Sequence, residues 1–163
     1  MKRRMAAATV LCLMLGLGPV NAGEKGATMA GKASGTFEVK VKPLPGGEKA
    51  EGLTVGRLSL DKEFKGDLEG TGKGEMVTTE TAVPGSAGYV AFEQVSGKLK
   101  GRSGTFTLLH QATMRRGGEF EMSIIVVPDS GTGQLVGLTG KMTIVITEGK
   151  HSYQLDYTLP DAP

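Results

Sequence analysis

The segment GRSGTFTLLHQATMRRGGEFEMSIIVVP, residues 101–128, decides the fold class. From Phe106 to Met114 every second residue is apolar or histidine, and mostly threonine and glutamine stand between them. A second alternating run, Phe120 to Val126, follows the turn Arg115–Gly118. Period-two alternation on both sides of a glycine turn is typical of an antiparallel hairpin with one buried face. The segment therefore predicts two paired strands.

The same alternation recurs along the chain and predicts eight strands in all. Their expected ranges are 36–42, 53–64, 64–76, 89–95, 105–114, 120–126, 141–147 and 152–159. The first should end at Pro43–Gly47, and the connection 134–140 should carry Leu135 and Leu138 as plugs. With no helical periodicity and short connections, the pattern predicts an all-β fold, an eight-stranded antiparallel up-and-down β-barrel. A two-sheet β-sandwich is the alternative.

A stripe of glycine marks the third predicted strand. Residues 66, 70, 72 and 74 are all glycine and share strand parity with Leu68 and Met76. Glycine weakens a strand, so a stripe of it indicates sharp coiling or the close approach of a bulky neighbour or ligand. Both are expected on the inner face of a closed barrel.

The first 22 residues have the features of a cleaved secretory signal. A basic start, Lys2-Arg3-Arg4, precedes the apolar run Met5–Leu17 and the small-residue cleavage site Val20-Asn21-Ala22. The apolar run is shorter than the roughly 20 residues that span a bilayer, which makes an uncleaved anchor the weaker alternative. The expected organisation is a signal peptide at 1–22, a flexible lead-in at 23–33 and one barrel domain at 34–160. A periplasmic or secreted location follows, without stable membrane insertion after cleavage.

Removing the signal changes the charge and the cysteine count. It takes three of the 19 basic residues and none of the 17 acidic ones, so the formal charge changes from +2 to −1. Bulk charge therefore gives no reason to expect nucleic-acid binding. The sole cysteine, Cys12, also lies in the signal, and the two histidines are far apart in sequence, so we expect no metal site and no disulfide. No phosphate or dinucleotide loop is present, and no cofactor is expected.

Two side chains could carry chemistry. His110 shares parity with Phe106 and Leu108, so it points with the apolar residues, either as a proton carrier or as a buried neutral histidine bonded to a neighbouring strand. Glu93 shares parity with Tyr89 and can face inward as a general base or outward as a surface charge. His110 and Glu93 are thus the candidate catalytic residues. The candidate ligand-binding set is Phe106, Leu108, His110, Tyr89 and Glu93.

Several short motifs resemble a bacterial family called domain of unknown function 3224. They are Phe64–Gly70 (FKGDLEG), Gly101–Phe106 (GRSGTF), Leu109-His110, Val127–Leu135 (VPDSGTGQL), Gly137-Leu138 with Gly140, and Leu155–Tyr157 (LDY). The resemblance covers about Ala33 to Pro160. It implies a barrel like that of allene oxide cyclase and the dirigent proteins, which steer reactive hydrophobic intermediates, and it implies no assigned activity.

Three functions are consistent with these observations. The first is a binding module that holds a small hydrophobic or amphipathic ligand in the barrel lumen. The second, implied by the wider resemblance, is a cofactor-free isomerase or cyclase. The third is a structural interaction domain of the envelope, possible also as a homo-oligomer. The sequence leaves open whether the protein is an enzyme.

Overall fold

The structure, a computed structural model, describes residues 28–161. The predicted signal at 1–22 and the start of the lead-in lie outside these residues. Eight strands and one short 3₁₀ turn, η1 (Gly133–Leu135), follow one another. The strands are β1 (Thr28–Ala50), β2 (Leu53–Gly66), β3 (Leu68–Thr81), β4 (Ala87–Leu99), β5 (Arg102–Met114), β6 (Phe120–Val126), β7 (Thr139–Thr147) and β8 (Lys150–Pro160). In this part of the chain no helix is long and apolar enough to cross a membrane.

Each strand pairs antiparallel with the next, and β8 pairs with β1, so the sheet closes into a ring. The up-and-down barrel is confirmed, and the sandwich alternative is wrong. Short turns permit this order because antiparallel neighbours need only a few connecting residues. The opening hairpin is also confirmed, since β5 pairs with β6 from Leu108–Val126 to Met114–Phe120.

The first strand is longer at both ends than its alternation predicts. Residues 28–33, expected as part of a flexible lead-in, pair with β8 and complete the ring. The alternation of apolar and polar residues is weak in this segment, where Ala33 is the buried residue. Gly31 lies against the ring of Tyr157, which leaves no room for a Cβ. The expected end at Pro43–Gly47 is also wrong: the strand continues to Ala50 through a bulge between Leu44 and Glu48.

One end of the barrel is closed by packed side chains. Leu135 and Leu138, in and after η1, are fully buried against the core, which confirms that they act as plugs. Tyr153 crosses the same end, where its hydroxyl accepts a hydrogen bond of 2.8 Å from the Leu68 amide. Burial raises the pKa of that Tyr153 hydroxyl. The closed end is therefore solid core and offers no route into the lumen.

The opposite end, which we call the mouth, is bounded by the β1–β2, β3–β4, β5–β6 and β7–β8 turns. Several large apolar side chains on the lumen face reach solvent here: Val41, Met114, Phe120 and Ile146. The same face also carries Glu80, opposite Ala87, and His151, opposite Ile146. Below them lie partly buried Val39, Met122 and Ile144, which pack on the core. We call this mainly apolar end of the lumen face the funnel.

Candidate functional site

A buried charged cluster lies at the base of the funnel, formed by Lys62 on β2, Glu93 on β4 and His110 on β5. Strand alternation places all three on the lumen face, with apolar residues directly before and after them on the same face. They are 7%, 0% and 3% exposed. Charged residues are almost never buried to this degree unless they are paired. This cluster is therefore the part of the lumen whose chemistry needs an explanation.

Glu93 Oε2 is the centre of the cluster. Lys62 Nζ donates a hydrogen bond to it at 2.7 Å, and His110 Nε2 lies 3.0 Å from the same oxygen. The Nε2–H direction of His110 is poorly aligned with Oε2, so this contact is close without being a well-formed hydrogen bond. Glu93 Oε1 is buried and has no hydrogen-bond partner among the described residues.

The environment of Glu93 favours its ionised form. Burial on its own raises the pKa of this carboxyl, because it penalises the charge. The nearby His110 and the positive charge of Lys62 oppose burial, and together they hold the pKa of Glu93 below its ordinary value of 4.5. Glu93 is consequently a carboxylate at neutral pH, and Lys62 is its counter-charge.

The glycine stripe of β3 makes room for this carboxylate. Gly72 lies across the ladder from Val95 and beside Lys62, and a Cβ at residue 72 would overlap Glu93 Oε1. At Gly74, a Cβ would meet the Phe92 carbonyl oxygen and come within 2.8 Å of Glu93 Cα. For Gly72 and Gly74, the bulky neighbour that the stripe predicts is thus the backbone and side chain of β4. Gly66 differs, because it ends β2 and a Cβ there would meet the Ser34 carbonyl oxygen of β1.

Aromatic rings hold the ammonium of Lys62 from the other side. Its Nζ lies 4.7 Å from the centroid of the Phe37 ring and 5.7 Å from that of Phe64. Cations are attracted to the faces of such rings, most strongly when they are removed from water. Lys62 is therefore fixed between Glu93 and an aromatic wall, and its stem lies in the core rather than in solvent.

The structure brings the two candidate catalytic residues together. Both Glu93 and His110 face inward, which decides the open orientation of Glu93 in favour of the lumen. Phe106 and Leu108, from the candidate ligand-binding set, are buried in the packed core. Tyr89 lies nearer the mouth, half-buried, where its hydroxyl donates to Met122 Sδ at 3.6 Å and burial raises its pKa. Of the set, Tyr89 is thus the residue that lies toward the open end.

Lys62 is the member of the cluster that the sequence analysis missed. It occurs between Leu60 and Phe64 with their strand parity, and both of these are buried. The signal was therefore present: a lysine on the apolar face of a predicted strand. Lysine is a common outward residue, which is why alternation alone did not single it out.

The cluster can hold and move a proton or bind a polar group, but its residues do not form a metal site. Among residues 28–161 no three histidine, cysteine or acidic side chains lie close enough to hold a metal ion together. The ammonium group of Lys62 already occupies the position beside Glu93 Oε2 that a metal cation would need. What the arrangement offers is a carboxylate with one unfilled acceptor, a neighbouring imidazole and a fixed ammonium under an apolar funnel.

Comparisons with known proteins agree with the fold and the motifs. A family model described as protein of unknown function (DUF3224) matches residues 33–157. A crystal structure of a protein of unknown function from this family, from Shewanella oneidensis MR-1, is 43% identical with a TM-score of 0.76. The match covers 82% of this chain and 100% of that one. No curated protein matches the chain. The resemblance to the wider cyclase and dirigent barrels stays a prediction. The chain belongs to the DUF3224 family.

Proposed function

We propose that this protein is an exported binding module whose mouth takes up a small, mainly apolar molecule with one polar group. The observation that carries the proposal is the exposure of large apolar side chains on the lumen face. Val41, Met114, Phe120 and Ile146 are 45%, 40%, 55% and 64% exposed. Large apolar side chains exposed to water at the end of a barrel favour binding of an apolar molecule there.

The composition of the funnel suits a ligand of variable shape. Met76, Met114 and Met122 all face the lumen in its open half. Methionine side chains are flexible and polarisable, so they adapt to different apolar surfaces. The Tyr89 hydroxyl lies among them and can donate to or accept from a polar group. These features support binding by shape and apolar contact.

The charged cluster limits how deep such a ligand reaches. Glu93, His110 and Lys62 are enclosed by neighbouring side chains, and none of them lines the cavity of about 750 Å³, whose lining includes Tyr89 and Met122. A ligand in the mouth would lie above the cluster, with its polar group directed toward it. Binding in the funnel therefore needs no rearrangement of the ion pair.

Fluorescence titration with N-phenyl-1-naphthylamine, a neutral apolar probe, tests the proposal. The informative variant is Phe120→Ser at the mouth, and Phe92→Ser is its control. Phe120 and Phe92 are 55% and 57% exposed, but Phe92 lies on the outer face. We expect Phe120→Ser to weaken probe binding about tenfold, as loss of an aromatic contact does, with Phe92→Ser within about twofold of wild type.

Two results would contradict the proposal. One is an absence of probe binding by the wild-type protein. The other is equal weakening by both serine variants, which would mean that the probe adsorbs to exposed rings in general. A homodimer that buries the mouth, seen by analytical ultracentrifugation and abolished by Phe120→Ser, would instead indicate that the exposed apolar side chains of the mouth form an interface between copies.

A second candidate function is proton-transfer catalysis without a cofactor, and the proximity of Glu93 and His110 favours it. A carboxylate beside an imidazole can orient the ring and stabilise its protonated form, which suits general acid–base chemistry. The contact of 3.0 Å between His110 Nε2 and Glu93 Oε2 supports this assignment. Any substrate would have to reach His110 from the mouth. If Glu93→Gln and His110→Ala both retain the turnover of an identified substrate, this candidate fails.

A further inference from the structure

The first strand has a free edge at the rim of the mouth. β1 pairs with β8 as far as Phe37, which lies opposite His151. β8 begins at Lys150, whereas β1 continues to Ala50 with β2 on one side. Among the described residues no strand pairs with the other side of β1 beyond Phe37. We call residues 38–42 the free edge.

Strand geometry decides which main-chain groups of the free edge lack a partner. In an antiparallel strand the N–H and C=O of one residue point to the same side, and those of the next residue point to the opposite side. Ser34 shows which residues face β2, because its N–H donates to Asp67 Oδ2 at 2.9 Å and its C=O accepts from the Asp67 amide at 3.0 Å. The pairing of β1 is regular from there to Leu44. The N–H and C=O groups of Val39 and Val41 therefore point away from β2, to the free edge.

A proline limits the free edge at its upper end. Pro43 has the parity of Val39 and Val41, so its nitrogen also points away from β2, and its pairing with Leu58 is kept. Proline is tolerated in a strand at such an edge because it has no N–H to donate. The main-chain donors that remain available to a further strand are thus those of Val39 and Val41.

The β7–β8 turn bounds the free edge at its lower end. A cavity of about 440 Å³ lies there, lined by Glu38 and Val39 of β1 and by Gly149 and Lys150 of the turn, among others. We call this cavity the notch. From Phe37 downward β8 occupies the side of β1 that the free edge leaves open. A strand that pairs with the free edge must therefore end at the notch, which selects a chain terminus and excludes pairing with the long β1 of a second copy.

The charges select an acidic segment that ends in a carboxylate. Lys40 and Lys42 are exposed on the outer face of the free edge, and Lys150 is exposed at the notch. None of these three lysines forms an ion pair among the described residues. Glu38, the acidic residue at the notch, lies 3.6 Å from the ammonium of Lys65. Opposite charges directly across a strand pair are stabilising.

We propose that the free edge binds the carboxyl-terminal segment of an acidic partner protein, as an added antiparallel strand. The last residue of the segment lies opposite Val39 and the residue two before it lies opposite Val41, and each pair exchanges two main-chain hydrogen bonds. Apolar side chains at these two positions face the lumen, and acidic side chains between and before them lie opposite Lys40 and Lys42. The terminal carboxylate lies in the notch beside Lys150. This interaction does not depend on an apolar molecule in the mouth.

Amide chemical-shift titration of an isotope-labelled protein of residues 23–163 tests the proposal. The probe is the peptide acetyl-Thr-Glu-Val-Glu-Val, as the free acid and as the carboxyl-terminal amide. We expect the free acid to shift the amides of Val39 and Val41 more than that of Lys40, whose N–H faces β2. The peptide amide should bind about fivefold more weakly at low ionic strength, because it lacks the terminal charge. Lys150→Gln should remove most of this difference.

Two substitutions of Val41 separate the main chain from the side chain. Val41→Pro removes a donor of the free edge and keeps the pairing with β2, as Pro43 does, so we expect the free acid to bind about tenfold more weakly. Val41→Thr keeps the N–H and the branched shape and should bind within about twofold of wild type.

The wild-type titration and Lys150→Gln carry the test if Val41→Pro does not fold. The proposal is overturned if the free acid shifts neither the Val39 nor the Val41 amide, or if the peptide amide binds as tightly as the free acid. It is also overturned if a folded Val41→Pro binds the free acid as tightly as wild type.

Discussion

Substitution of Glu93 by glutamine is the perturbation whose cost follows most directly from the structure. It leaves the size of the side chain unchanged and removes its charge. Lys62, whose side chain is 5% exposed, then keeps a buried ammonium with no counter-charge. Removing one partner of a buried ion pair typically costs about 3–5 kcal/mol, because the remaining charge is left uncompensated. Against a total stability of about 5–15 kcal/mol for a domain, Glu93→Gln should fold with a strongly lowered urea midpoint.

The chain offers an exposed ion pair of the same length as a control. Lys32 Nζ and Asp156 Oδ1 are also 2.7 Å apart, but their side chains are 88% and 64% exposed. Asp156→Asn should cost at most about 1 kcal/mol, since exposed pairs are screened by water. The assay is urea unfolding at neutral pH, followed by circular dichroism.

A double variant completes the test. Adding Lys62→Met to Glu93→Gln should recover part of the lost stability, because the unpaired ammonium is removed. The reasoning is refuted if Glu93→Gln costs no more than Asp156→Asn, or if the double variant is less stable than Glu93→Gln alone.

Three further predictions concern packing and pH. Gly72→Ala should lower the free energy of unfolding by about 2–3 kcal/mol in urea, because its Cβ overlaps Glu93 Oε1, whereas Gly88→Ala should stay within about 1 kcal/mol of wild type; equal effects would contradict the assigned faces. The folded-state pKa of Glu93 lies below 4.5, so the unfolded chain takes up the proton first, and stability present above that pH should be lost as the pH falls through the folded-state value. In Glu93→Gln, urea unfolding at a series of acidic pH values should show a smaller loss of stability with falling pH than in wild type. An equal loss of stability in the two proteins would contradict the lowered pKa of Glu93. Leu138→Ala removes a fully buried plug and should cost about 2–5 kcal/mol by thermal or urea unfolding, and a loss below about 1 kcal/mol would show that the closed end is not packed as described.

Strand alternation predicts the barrel because a half-buried strand repeats every two residues and the repeat survives in most of this chain. It fails at both ends of β1, where the residues carry little apolar surface. Residues 28–33 are held by pairing with β8, and Gly31 is fixed by the ring of Tyr157. Such partners come from the far end of the sequence, so a local pattern does not contain them.

The candidate site could also be predicted only in part, because its members come from strands that are separate in the sequence. The parity of His110 with Phe106 and Leu108 indicates the lumen, whereas the neighbours of Glu93 are apolar on both faces. The register between β3 and β4 resolves this by placing Glu93 opposite Gly74 on the inner face. The glycine stripe predicts a bulky neighbour, but the pattern does not identify which residue that is. The register of the consecutive strands β2 to β5 brings Lys62 Nζ and His110 Nε2 to the same oxygen atom of Glu93.

The central claim, that the mouth binds a small apolar molecule, is tested most directly by methionine methyl NMR on a protein that comprises residues 23–163. The residues after the predicted signal contain five methionines. Met76, Met114 and Met122 face the lumen in its open half, Met142 is buried in the core, and Met29 is exposed at the other end of β1. We predict that N-phenyl-1-naphthylamine shifts the methyl signals of Met76, Met114 and Met122 and leaves that of Met29 in place. Shifts at Met29 alone, or none at any methionine, would contradict the account.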